Sequence, residues 1–214
     1  MIEKAAGASA QVTGEDLIAL VSELAVPLAD VRRTMVLPTD PERQENVSEH
    51  SFTLALVACS VADALRHRSL DVGLVAQYAI VHDLVEVYAG DTSVWASEYD
   101  LESKPHREQA ALAEISRRFD EVFPWIALTI ERYELRADPE ARFVYALDKV
   151  LPHVSILVAD RHPIRPARRD YLLRVEVARK KIGDDREVSE LFDDLLARFD
   201  QRSDFFADVK TTDR

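Results

Sequence analysis

Residues 78–89 read Tyr78-Ala79-Ile80-Val81-His82-Asp83-Leu84-Val85-Glu86-Val87-Tyr88-Ala89, nine apolar or aromatic residues and only three ionisable ones. A helix apolar on all sides is buried, and a buried carboxylate without a partner costs several kcal/mol. His82, Asp83 and Glu86 therefore demand a cation, a proton or a hydrogen-bond network. His82 and Glu86 are four apart and share a helical face, while Asp83 lies about 100° round at its edge. The run closes a helix expected over about Asp71 to Ala89, with Gly90 as its stop.

Working outward, the same helical reading extends over most of the chain. Leu17, Leu20, Val21, Leu24 and Leu28 recur at spacings of three and four, the pattern of an amphipathic helix from Glu15 to about Pro27. A loop is expected from about Arg32 to Val47, with Pro38, Pro41 and three arginines, Arg32, Arg33 and Arg43. Asn46 with Glu49, or Ser48 alone, then offers a helix cap, which sets His50 in a first helical turn. Downstream, helices are expected near Pro105–Phe119, Pro124–Leu135, Pro139–Ala159, Pro166–Lys181 and Glu187–Phe199. Strand alternation is nowhere convincing, so the expected fold is all-α: a single-domain helical bundle over 14–200, with a disordered leader at 1–13 and a tail at 201–214.

Composition narrows the function. The 214 residues carry 27 basic and 39 acidic side chains, a net charge of −12, which disfavours nucleic acid and anionic membranes as partners. Only five glycines are present, and they form neither a G-x-G-x-x-G fingerprint nor a G-x-x-x-x-G-K-[ST] loop. The lone Cys59 permits no internal disulfide, and Met1 to Gln11 has no long apolar run, which reads as a cytoplasmic protein.

A second apolar stretch, Phe143 to Leu151, holds Asp148 with only Lys149 as ionisable company. Three core-forming helices thus each bring a group suited to a divalent ion: His50, the His82-Asp83 pair and Asp148. Two imidazoles and two carboxylates make a mixed nitrogen and oxygen site fit for Mn, Fe, Co, Ni, Zn or a partly hydrated Mg, with no thiolate to favour soft metals. A divalent metal lowers the pKa of a water and holds a phosphoryl oxygen at once, which suits phosphoester hydrolysis.

The run Glu45-Asn46-Val47-Ser48-Glu49-His50-Ser51, then His82-Asp83-x-x-Glu86 with Gly90-Asp91-Thr92 behind it, then Asp148-Lys149, resembles the HD-domain metal-dependent phosphohydrolases, and within them the 5′-deoxynucleotidase branch. The resemblance spans about Arg32 to Ala159. It implies His50, His82, Asp83 and Asp148 as metal ligands, Glu86 as the acid or base beside the attacking water, and Asp91 as a second polar group holding water or substrate. It further implies deoxynucleoside 5′-monophosphates as substrates, a bundle of helices and a homodimer. In that family an arginine upstream of the first histidine contacts the phosphate, and in bacterial members a tryptophan follows it. Here Arg32 and Arg33 are followed by Thr34 in a loop about two residues longer, and Arg33 is favoured slightly over Arg32. Thr92 and Trp95 complete the candidate substrate contacts.

Each residue also has a plainer reading. His50 alone is a cap or core histidine, Glu86 a helix-edge residue, and Asp91 a turn cap after Gly90. Cys59 is core filling without an activating histidine. His153, about 140° off the face of Asp148, is core or surface, and His67 and His106 are solvated helix ends. Arg161 to Arg169 is the one basic cluster, either a solvated turn or an aid to phosphate approach. Rival functions are an HD-type phosphodiesterase or triphosphohydrolase, and a non-catalytic scaffold with a structural metal.

Overall fold

Asn46 divides the N-terminal part of the chain into two kinds of structure. Its Oδ1 accepts from the Glu49 amide at 2.9 Å while Glu49 Oε2 accepts from the Asn46 amide at 3.0 Å, a reciprocal cap that starts helix α3, Val47–Ala64. Arg43 grips the same Glu49 carboxylate with both guanidinium nitrogens. Before Asn46 lies an antiparallel hairpin, β1 (Arg32–Leu37) and β2 (Asp40–Asn46), with Arg32 opposite Asn46, Val36 opposite Gln44 and Leu37 opposite Asp40. This corrects the loop expected there. A strand search looks for apolar side chains on alternate positions, whereas this hairpin turns the polar Arg33 and Glu45 inward, toward the histidines.

The structure is a computed structural model that describes residues 11–66, 69–93, 96–159, 167–201 and 206. Helix α1 (Gly14–Leu20) begins on a Thr13 cap and passes through one π turn, Val21–Ala25, into the short α2, Val26–Leu28. After α3 come α4 (Val72–Val81), α5 (Glu86–Ala89), α6 (Glu98–Phe119), α7 (Trp125–Glu134), α8 (Pro139–Val158), α9 (Arg168–Ile182) and α10 (Arg186–Asp200). The all-α class holds, with the two-stranded hairpin as its addition.

Two helix boundaries depart from expectation. Helix α6 starts seven residues before Pro105, because Ser97 caps it and Glu98 and Asp100 in its first turn suit the positive end of the helix dipole. The helix expected over Asp71 to Ala89 is broken at 82–85, where Leu84, Glu86, Val87 and Tyr88 donate to carbonyls three residues back. Those tighter turns displace Asp83 from the helical position assigned to it. The leader and tail fall mainly outside the described residues, at 1–10, 202–205 and 207–214, as do His67, Trp95 and residues 161–166 of the basic run. Phe206 is buried against the Tyr171 ring.

Two apolar clusters fill the interior. One joins α3, α4, α8, α9 and α10 around Leu54, Tyr78, Phe143, Val144, Phe192 and Phe199. The other joins α2, α5, α6 and α7 around Leu28, Val85, Ile115, Phe119 and Ile130. His50 stands between Val47 of the second cluster and Leu54 of the first, and His82 follows Ala79 of the first and Val81 of the second. The ionisable groups therefore sit at the seam between the two clusters.

Candidate metal centre

Three elements bring the four proposed ligands together. The cap at Asn46 fixes the first turn of α3 and with it His50, the turn after α4 presents His82 and Asp83, and α8 presents Asp148. His50 Nε2 lies 2.9 Å from Asp148 Oδ1, His82 Nε2 lies 3.9 Å from that oxygen and 3.0 Å from Asp83 Oδ2, and the two imidazole centroids are 5.3 Å apart. One donor atom each from His50, His82 and Asp83 fits within a 4.8 Å span, and Asp148 joins through the two histidines.

The fit of a cation rests on His82. Its Nδ1 is 3.0 Å from the Ala79 carbonyl oxygen, which can only accept, so the ring proton belongs on Nδ1. Nε2 then carries a lone pair. That buried atom has no hydrogen-bond partner, yet it faces the Asp83 carboxylate at 3.0 Å. A lone pair and a carboxylate held this close repel unless a positive charge lies between them. The wider charge balance agrees. Glu45, Asp83, Glu86, Asp91 and Asp148 lie among Arg33, Lys104 and Lys149, and Lys104 is shared with Glu108. With neutral imidazoles and the Glu86 carboxyl protonated, the centre carries an excess of at least one negative charge, which one divalent ion offsets. Two nitrogen and two oxygen donors suit a borderline divalent metal.

The carboxyls around this core are held in different states. Burial opposes charge on Asp83, but positive charge at His82 Nε2, a proton when no ion is bound, and the Arg33 guanidinium outweigh it and keep its carboxyl below the usual range. Asp148 is likewise buried and likewise low, because Lys149 bonds its Oδ2 and His50 its Oδ1. Glu86 is the opposite case. Burial, then Asp83 and Asp91, push its carboxyl up to about 9, and its Oε2 is buried without a partner. Asp91 is raised by burial more moderately, with Arg33 opposing.

The remaining candidates divide clearly. Arg33 donates to Asp83 Oδ2 at 2.8 Å and pairs with Glu45 at 3.3 Å, whereas Arg32, on the other face of the strand, is exposed. Thr92 lies 2.6 Å from Arg107, which donates to its hydroxyl. Trp95 lies outside the described residues. Glu45, Lys104 and Tyr133 carry no role in the sequence reading. Glu45 Oε2 is 3.7 Å from His50 Nδ1, Lys104 lies within electrostatic reach of Glu86 and Asp83, and the Tyr133 ring packs edge-on to His82 at 6.0 Å. Glu45 was visible inside the motif, but its inward direction depends on the hairpin. Lys104 stands three residues after Leu101 in a mostly polar helix and gave no signal.

The HD domain family model matches residues 27–189, a range that contains every one of these residues. The chain belongs to the HD domain family. Its superfamily is that of the metal-dependent phosphohydrolases. Among solved structures, this HD protein is similar to a predicted metal-dependent phosphohydrolase from Magnetospirillum magnetotacticum MS-1, with 26% identity, a TM-score of 0.62, and coverage of 90% of this chain and 97% of that one. It shares its fold with a conserved hypothetical protein from Pyrococcus furiosus at 22% identity and a TM-score of 0.58, over 86% of this chain and 99% of that one. No curated protein matches the sequence.

Proposed function

We propose that this HD protein is a 5′-nucleotidase that converts (deoxy)nucleoside 5′-monophosphates to nucleoside and inorganic phosphate. His50, His82, Asp83 and Asp148 hold one divalent ion, from among Mn, Co, Fe, Ni, Zn and Mg. The observation that carries the reading is the meeting of these donors with Arg33, which pairs with Asp83, and with a buried, protonation-prone Glu86 within electrostatic reach of Asp83. When bound, the ion supplies charge that acidifies a water and offsets negative charge on the phosphoryl oxygens.

The chain's own residues supply the rest. Arg33, fixed between Glu45 and Asp83, offers guanidinium N–H groups to the phosphoryl oxygens of a monoester dianion. Glu86 takes a proton from water as its oxygen bonds to phosphorus, and returns one to the 5′-oxygen as the P–O5′ bond breaks. Glu86, buried beside Asp83 and Asp91, would serve in both directions if its carboxyl were brought toward neutrality by the positive charge that His50, His82, Asp83 and Asp148 would hold. Asp91 accepts a hydrogen bond from the water or the substrate.

Product analysis on ribo- and deoxynucleoside 5′-monophosphates, a nucleoside triphosphate and a cyclic dinucleotide tests the reading. Nucleoside and phosphate should form from the monophosphates, dependent on added metal. Silence on all monophosphates, with a nucleoside monophosphate released from the cyclic diester, would replace the proposal by a phosphodiesterase.

A further inference from the structure

A cleft of about 430 Å³ opens where the start of α8 meets the α9–α10 turn, lined by Arg136, Arg142, Tyr145 and Lys181 together with Asp184 and Asp185. Among the described residues no carboxylate forms an ion pair with Arg136, Arg142 or Lys181. Several other arginines of this acidic chain do have a carboxylate partner: Arg43 with Glu49, Arg117 with Glu114, Arg118 with Glu23, Arg132 with Asp138 and Arg179 with Asp193. Three cations without a carboxylate partner among the described residues thus border one concavity.

Two carboxylates, those of Asp184 and Asp185, share the rim with these three cations. Partial burial of the Lys181 ammonium, followed by Lys149, Lys104 and Arg136, lowers its pKa, with Asp148 opposing. Asp185 is committed to α10, where its Oδ1 accepts from the Val188 amide at 3.1 Å. The cleft is also built. Arg136 holds a left-handed backbone conformation, φ 49°, that a non-glycine residue adopts only at a cost, and Arg142 Nη1 donates to its carbonyl at 3.0 Å. The Arg136 guanidinium stacks 4.3 Å from the Tyr145 ring centre, and the Lys149 ammonium, bonded to Asp148, lies 4.8 Å from the same centre. One aromatic ring thus separates the cleft from a proposed metal ligand.

We propose that this cleft is a second anion site, which takes a small phosphate-bearing ligand through Arg136, Arg142 and Lys181, outside the metal centre. Guanidinium forks and an ammonium match phosphate oxygens, and the Tyr145 face suits a ring attached to them. The proposal does not depend on the nucleotidase reading. Inorganic pyrophosphate titrated calorimetrically into the full chain at low ionic strength, without added metal, tests it. Binding should weaken tenfold or more in the double variant Lys181→Gln/Arg142→Gln and persist in Asp83→Asn. The Lys181→Gln melting temperature should stay level or rise, because a crowded cation is removed. Affinity in the double variant within twofold of wild type, or binding abolished by Asp83→Asn, overturns the site. A distal phosphate of a substrate and a separate effector share this chemistry. Saturating deoxynucleoside monophosphate leaves pyrophosphate binding unchanged for an effector and displaces it for a substrate subsite.

Discussion

Replacing Glu86 by Gln should make the metal-free protein more stable and the enzyme nearly inactive. Glu86 is 3% exposed and its carboxyl is pushed from the ordinary 4.5 up to about 9 by burial and by Asp83 and Asp91. Between those values the unfolded chain has released the proton and the folded chain retains it, so stability falls as pH rises from 4.5 toward 9. At pH 7 the interval is 2.5 pH units, about 3 kcal/mol at 1.36 kcal/mol per unit. Gln has nearly the same shape and no titration, so it escapes that cost. Urea unfolding of metal-free wild type and Glu86→Gln should show a gap that widens by about 1 kcal/mol per pH unit from pH 5 to pH 8. The same substitution should lower kcat by about 10²- to 10⁴-fold, the range for losing a general acid or base, and leave metal content intact. Opposite signs for stability and turnover mark a group kept for chemistry. A Glu86→Gln protein no more stable than wild type at pH 8 would refute the electrostatic reasoning.

Three further outcomes follow from the structure. Burial and Arg174 push His153 down to about 4, while the unfolded chain protonates near 6.5, so its contribution to stability is full above pH 6.5 and is lost as pH falls toward 4, about 3 kcal/mol in all. His153→Phe, in a site already flanked by Phe192 and Tyr171, should flatten that part of the pH–stability curve, and an unchanged slope contradicts the assignment. Arg33→Ala should raise KM for a phosphomonoester by tenfold or more, and equal KM values in variant and wild type would remove Arg33 from phosphate binding. Asn46→Ala, which breaks the reciprocal cap of α3, should lower unfolding stability by roughly 0.5–2 kcal/mol in chemical denaturation.

The helices and the charged centre were legible because three of the four proposed ligands interrupt otherwise apolar stretches, where burial makes such interruptions expensive, and the fourth, His50, follows a recognisable helix cap. His82 and Asp83 in 78–89, and Asp148 in 143–151, announce themselves this way, and Asn46 with Glu49 marks the start of α3. The hairpin stayed hidden because its inward residues, Arg33 and Glu45, face other charges rather than hydrocarbon. The break at 82–85 was hidden as well, since Leu84, Val85 and Val87 satisfy a helical pattern, and only the hydrogen bonds to residues three back reveal the tighter turns. Lys104 and Lys181 act through the field of neighbours distant in sequence, which spacing along the chain does not encode.

Equilibrium dialysis against a divalent metal such as Mn²⁺, with elemental analysis of wild type, His82→Ala, Asp148→Ala and Glu86→Gln, addresses the centre itself. One ion per chain in wild type and Glu86→Gln, with essentially none in the two ligand variants, is the expected pattern. Stoichiometric metal surviving in both His82→Ala and Asp148→Ala would contradict it.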